Sequence, residues 1–312
     1  MKSTAAIYTL ILTVVAIGAI FLLRDSDDNG PATLQHAKQI EEPAPQEVVA
    51  KGDSTPQPIE SRIAEPREQG SPPGLYRSFE KSQDLSQTLV ELEYRIAAGD
   101  STAMVLAAKA LVECALLKVD PLHVETMRQI SEIAKQNGLH EIPPRFLAEH
   151  EARCGALARS VAPVESAASL MHKALERENP VALAQELTSR SATTSDVEAK
   201  SIATRVLETK DPYAIAQLSE LMSQDDRMGR FSGTRASKFT WQFVACDLGM
   251  DCSSDSYIVR QTCLFYLACG NGGYKDVVRY TMSTPAEFQR ILSQEQEILF
   301  LIAQGRWAEI FQ

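Results

Sequence analysis

From Ala5 to Leu23 the chain reads AAIYTLILTVVAIGAIFLL, nineteen residues without a charge. At ~1.5 Å per residue, such a helix approaches the ~30 Å hydrocarbon core of a bilayer. A helix of a soluble core would keep a polar stripe, and this stretch has none. The competing reading is a cleaved signal peptide, which needs a shorter apolar core and a small-x-small cleavage site. Ala16-Ile17-Gly18 is the one passable site, and cleavage there would leave Phe21, Leu22 and Leu23 exposed on the mature chain. We expect residues 1–23 to be an uncleaved signal anchor in the inner membrane, with residues 5–23 spanning it. No Cys follows the run, which excludes a lipid-modified cysteine there.

Charge at the ends of the run says little about orientation, because Lys2 precedes it and Arg24 follows. A short amino-terminal flank ahead of a long polar chain favours the bulk on the exported side. The expected layout is single-pass, with the carboxy-terminal part in the periplasm.

Residues 24–74 form a linker. Eight prolines punctuate it, from Pro31 to Pro73, and it contains no Phe, Tyr or Trp. Residues 24–70 hold ten acids and five bases, half of the net charge of −10. Such a segment cannot bury enough apolar surface to offset the entropy of ordering, so it is expected to be a disordered, extended tether. Nothing in the chain makes the basic footprint that nucleic acid requires, and no nucleic-acid partner is expected.

From residue 75 to residue 312 the pattern turns helical. Apolar residues recur at three and four, as in Leu85, Leu89, Leu92 and Ile96, and no sustained alternation marks a strand. Stops and starts are well signed. Asp84 or Ser82 opens a helix that Gly99 closes. Asp100 caps Ser101 to Leu117. Asp120-Pro121 opens the next, ending at Asn137-Gly138, and Pro143-Pro144 opens one through Cys154. Asn179-Pro180, Asp211-Pro212 and Thr284-Pro285 each set a cap before a proline at the first helical position. Ten to twelve helices joined by short connections predict an all-α domain of stacked antiparallel hairpins.

The six cysteines are Cys114, Cys154, Cys246, Cys252, Cys263 and Cys269. An even number in an exported domain suggests disulfides over buried thiols. Cys114 and Cys154 are expected near the same end of two neighbouring helices, and so bonded. In the quartet, Gly249 is a natural left-handed helix cap that can turn Cys252 back onto Cys246. Six residues of intact helix separate Cys263 from Cys269 by ~9 Å, so their bond requires the last turn to unwind. Bonding of Cys246 to Cys263 across the hairpin is the main alternative.

Three segments look alike: Ala98-Gly99-Asp100 leading to Ala108 and Leu111, Glu178-Asn179-Pro180 leading to Ala184 and Leu187, and Lys210-Asp211-Pro212 leading to Ala216, Leu218 and Leu221. The last two lie 32 residues apart. On these segments the chain loosely resembles the Sel1-like and tetratricopeptide helical repeats, although their Leu-Gly and Tyr signature positions are missing. That resemblance implies a concave face that binds proteins or peptides. Arg77-Ser78-Phe79-Glu80, with the anchor and linker, also resembles the membrane-anchored lipase chaperones, whose motif here is one residue short.

No catalytic constellation stands out, and no cofactor or metal is expected. His140-Glu141 and His150-Glu151 lie ten residues apart across Pro143-Pro144, whereas a zincin places its second His four residues after the first. They read as solvated helix-end histidines. The cysteine quartet has five residues within each pair, wider than structural zinc uses. Gly270-Asn271-Gly272-Gly273 follows a helix, without a Lys-Ser/Thr, and reads as a turn. Phe239, Trp241, Phe243, Tyr257, Phe265 and Tyr266 read as core. The expected function is interaction with, or scaffolding of, an envelope protein. An envelope enzyme with a dispersed site and a tethered steric chaperone are the alternatives.

Overall fold

The computed structural model describes residues 73–312 apart from 121, 139–140 and 160–165. The Ala5–Leu23 span, His36 and His140, and nearly all of the linker lie outside the described residues. Among the described residues every regular element is a helix, and no helix is long and apolar enough to cross a membrane.

Fourteen α-helices follow one another among these residues: α1 Pro73–Lys81, α2 Leu85–Ala97, α3 Ser101–Val119, α4 His123–Gln136, α5 Pro144–Arg159, α6 Ala167–Glu176 and α7 Pro180–Ser189, then α8 Asp196–Glu208, α9 Pro212–Gln224, α10 Arg235–Asp247, α11 Tyr257–Tyr266, α12 Tyr274–Val277, α13 Pro285–Ala303 and α14 Trp307–Ile310. The ends follow local chemistry. Asp84 Oδ1 accepts from the Ser86 and Gln87 amides, and Asp211 Oδ1 accepts from Tyr213 and Ala214 at 2.8 and 3.2 Å. Thr284 and Glu287 close a reciprocal capping box at the start of α13.

The three look-alike segments share a connector. Gly99, Glu178 and Lys210 all have positive φ, at 86°, 55° and 53°, and each is followed at once by the side chain that caps the next helix. A left-handed residue ends one helix and the cap starts the next within two positions, which makes a tight corner.

Two expected boundaries move. The first helix starts at Pro73, so Cys114 and Cys154 sit on α3 and α5. Each lies five residues before its helix ends, at Val119 and Arg159, and does not end the helix itself. The sequence offers Ser254 as the cap of the helix that carries Cys263, but that helix begins behind Ser256.

At the centre is α3. Ala103 to Ala108 and Ala110 are all buried, because α3 packs against α2, α5 and α6 together and has apolar residues all round. From α6 onward each helix packs on its chain neighbour through α10, and α13 then covers α10. A second apolar cluster of Phe239, Phe243, Val259, Tyr274, Phe288 and Ile291 joins α10 to α13. Trp241 is fully buried, and its indole donates to the Phe231 carbonyl at 3.0 Å.

All six cysteines are bonded: Cys114 to Cys154, Cys246 to Cys252 and Cys263 to Cys269, with α-carbons 5.1, 5.7 and 4.4 Å apart. Gly249, at φ 114°, turns the chain so that the Met250 amide returns to the Ala245 carbonyl and Cys252 reaches Cys246. α11 stops at Tyr266, and Leu267 takes the left-handed conformation at φ 54°. That break shortens the span from Cys263 to Cys269 to bonding distance. Phe265 and Tyr266 are exposed, 45% and 61%, against the core expectation, because the chain leaves the helix where they stand.

Candidate functional site

A cavity of about 620 Å³ opens where the end of α1, the middle of α5 and the start of α11 meet the 251–256 loop. Its floor is an ion pair. Arg153 Nε and Nη2 lie 2.7 and 3.3 Å from the two Glu113 oxygens, and both side chains are almost wholly buried. Nη1 donates to the Phe79 carbonyl at 2.9 Å and to the Ser82 carbonyl. The guanidinium also lies over the Phe79 and Tyr257 rings, at 4.9 and 5.8 Å. The exit of α1 is thereby tied to α3 and α5.

Arg260 also lines the cavity. Its Nη1 donates to the Asp255 carbonyl and its Nη2 to the Glu80 carbonyl, each at 2.8 Å, with Nε 3.8 Å from Glu149. Beneath it the Glu80 carboxyl accepts from the Tyr213 hydroxyl at 3.1 Å. Burial pushes the Glu80 pKa up to about 7, against the Tyr213 hydrogen bond and the Lys109 and Arg260 charges. Tyr213 stacks on Tyr76 with ring centroids 3.9 Å apart. Burial pulls Lys109 down, opposed by Glu80, Asp211 and Glu113. For Asp251, burial acts upward, but hydrogen bonds from Ser253 and the charges of Lys81 and Arg77 bring its carboxyl below the usual range.

His150 lines the cavity from α5 and is buried, 6% exposed, contrary to the solvated reading. It sits in mid-helix, where neighbouring helices cover it. Burial, with His123 and Arg153 nearby, pushes its pKa down to about 4, so the imidazole is neutral at pH 7. The rings of His123 and His150 meet edge to face at 6.1 Å.

Glu113, His150 and Cys154 bring potential ligand atoms within 4.8 Å of one another. They do not fit a metal ion. The Cys154 sulfur is spent in the bond to Cys114, and both Glu113 oxygens face Arg153.

Of the residues singled out in the sequence, the structure brings Cys114, Cys154, His150, Phe79, Glu80 and Tyr257 to this region. Cys252 ends the turn that leads into its loop wall. His172 lies elsewhere, exposed on α6 and paired with Glu176 at 3.4 Å. Glu113, Arg153 and Arg260 carried no sequence signal beyond the adjacency of the first two to bonded cysteines. No known family, no curated protein and no solved structure matches this chain.

Proposed function

We propose that this is an interaction module of the bacterial envelope, tethered to the inner membrane by residues 5–23, whose cavity receives a segment of a partner envelope protein. The cavity itself carries the reading. Its walls come from α1, α3, α5 and α11, its charged groups are braced by Arg153 and Arg260, and a disulfide between the residues next to Glu113 and Arg153 ties α3 to α5. Such preorganisation reduces the ordering cost of binding. The consecutive packing of α6 to α10 supports a hairpin stack of the kind that presents binding faces.

A photo-crosslinking amino acid placed at Gln83 or Gln261, on the cavity rim, tests this in intact cells. The expected result is a discrete envelope adduct at both positions and none at Val197, which is 81% exposed on α8. Equal labelling at all three positions would remove the cavity from the account.

A second reading, an envelope enzyme, draws on the opposite displacements of Glu80 and Asp251 in one cavity, an arrangement suited to separate acid and base roles. Hydrolysis of isolated envelope polymer by the protein, abolished in Glu80→Gln, would favour it.

A further inference from the structure

Most charged side chains around the cavity already have partners. Arg153 holds Glu113, Arg260 faces Glu149, Arg145 faces Asp255 at 3.4 Å, and Asp251 accepts from Ser253. Gln83, His150, Gln261 and Ser256 are lining residues whose side chains have no hydrogen-bond or ion-pair partner among the described residues, and Lys81 forms no close ion pair there although its charge acts on Asp251. All five can donate a hydrogen bond to an anion without losing another, and one of them is a cation.

Ser256 stands out among them. It is the N-cap of the ten-residue helix α11 and is 2% exposed. Its hydroxyl is buried without a partner and does not turn back to cap its own helix. The first-turn amides of any α-helix lack acceptors within the helix, and the aligned peptide dipoles place about half a positive charge there. Here Ser256 and Tyr257 at that end, and Lys81, all border one cavity.

We propose that the N-terminus of α11, with Ser256 and Lys81, binds the free carboxylate of a peptide chain terminus. The proposal rests on the interaction reading above and names the group that enters first. A monoanion suits the site better than a phosphate dianion, because both arginines are already engaged and Glu149, Asp251 and Asp255 stand around the mouth. Those three acids favour a basic residue just upstream of the captured terminus. Chain-terminal carboxylates are recognised elsewhere by converging backbone amides in the same physical way.

Full-length protein in detergent would be titrated against two pools of fluorescein-labelled random hexapeptides, one with free carboxyl termini and one amidated, followed by anisotropy. The free-acid pool should bind at least about tenfold more tightly, the scale of a lost hydrogen bond to a charged group. Ser256→Ala should weaken free-acid binding about tenfold with an unchanged urea midpoint, since the hydroxyl caps nothing. Lys81→Gln should weaken it too, and inorganic phosphate should compete poorly. Equal affinity for both pools would overturn carboxylate capture while leaving the cavity a peptide site. So would Ser256→Ala binding like the parent, or phosphate displacing peptide at comparable concentration. Binding of neither pool would overturn this proposal and the interaction reading together.

Discussion

Arg153 and Glu113 are forty residues apart in the chain, the same separation as Cys154 and Cys114 immediately beside them. An ionic clamp and a covalent clamp thus join α3 to α5 in one register, on adjacent residues. The disulfide limits how far the helices can part, and the guanidinium extends the tie to the carbonyls of Phe79 and Ser82 at the exit of α1.

Breaking the ionic half should be costly even with the disulfide intact. Arg153→Met strands the Glu113 carboxylate in a buried site and should lower unfolding free energy by about 3–5 kcal/mol in urea titrations. Adding Glu113→Leu should recover part of that loss, because no buried charge then remains.

The covalent half closes a forty-residue loop, worth about 3–4 kcal/mol in the chain-entropy treatment. The Cys114→Ala, Cys154→Ala double variant should melt below the parent under oxidising conditions. In reductant that reaches the buried sulfurs the two should converge. An unchanged gap in reductant would assign the loss to packing.

Stability should respond to pH through buried carboxyls. Glu295 is fully buried, with Lys275 Nζ 2.5 Å from one oxygen and no hydrogen-bond partner for the other among the described residues. Burial pushes both Glu295 and Glu80 up to about 7. Each is therefore more protonated in the folded than in the unfolded chain between about pH 4.5 and 7, and each makes stability fall as pH rises through that window. His150, pushed down to about 4, acts in the opposite sense below its ordinary range. Glu80→Gln and Glu295→Gln should each flatten the decline relative to the parent, read as urea midpoints at pH 5 and pH 7.5.

Trypsin under denaturing, non-reducing conditions reads the quartet directly. Cuts after Lys238, Arg260 and Lys275 should release Cys246 with Cys252 in one peptide and Cys263 with Cys269 in the next. Each should be lighter than its reduced form by two hydrogens. A single species linking both peptides would contradict these pairings.

The proposed anchor predicts that the full-length protein sediments with membranes and that a chain lacking residues 1–23 does not. A mature terminus at Ala19 in a soluble fraction would refute it.

Helix ends were legible in the sequence because caps act over two or three residues. Asp84, Asn179, Asp211 and Thr284 all do in the structure what their spacing implies. The quartet was legible for the same reason, since Gly249 controls the local turn. The cavity was not. Glu113 and Arg153 meet only after α3 and α5 pack, and Tyr213 reaches Glu80 across 133 residues. His150-Glu151 looked like a solvated pair because its cover comes from other helices. Phe265 and Tyr266 looked like core because the break at Leu267 has no glycine to announce it.

α3 is nineteen residues long, nearly as long and almost as apolar as a bilayer crossing. For a chain secreted through the membrane it is the segment most apt to be mistaken for a stop. Lys109 and Glu113 stand near its middle, where each charge raises the cost of lipid insertion by about 2.5–3.5 kcal/mol. In the exported layout proposed above, Glu113 would serve twice. It would first raise the cost of lodging this helix in lipid, and in the folded chain it pairs with Arg153.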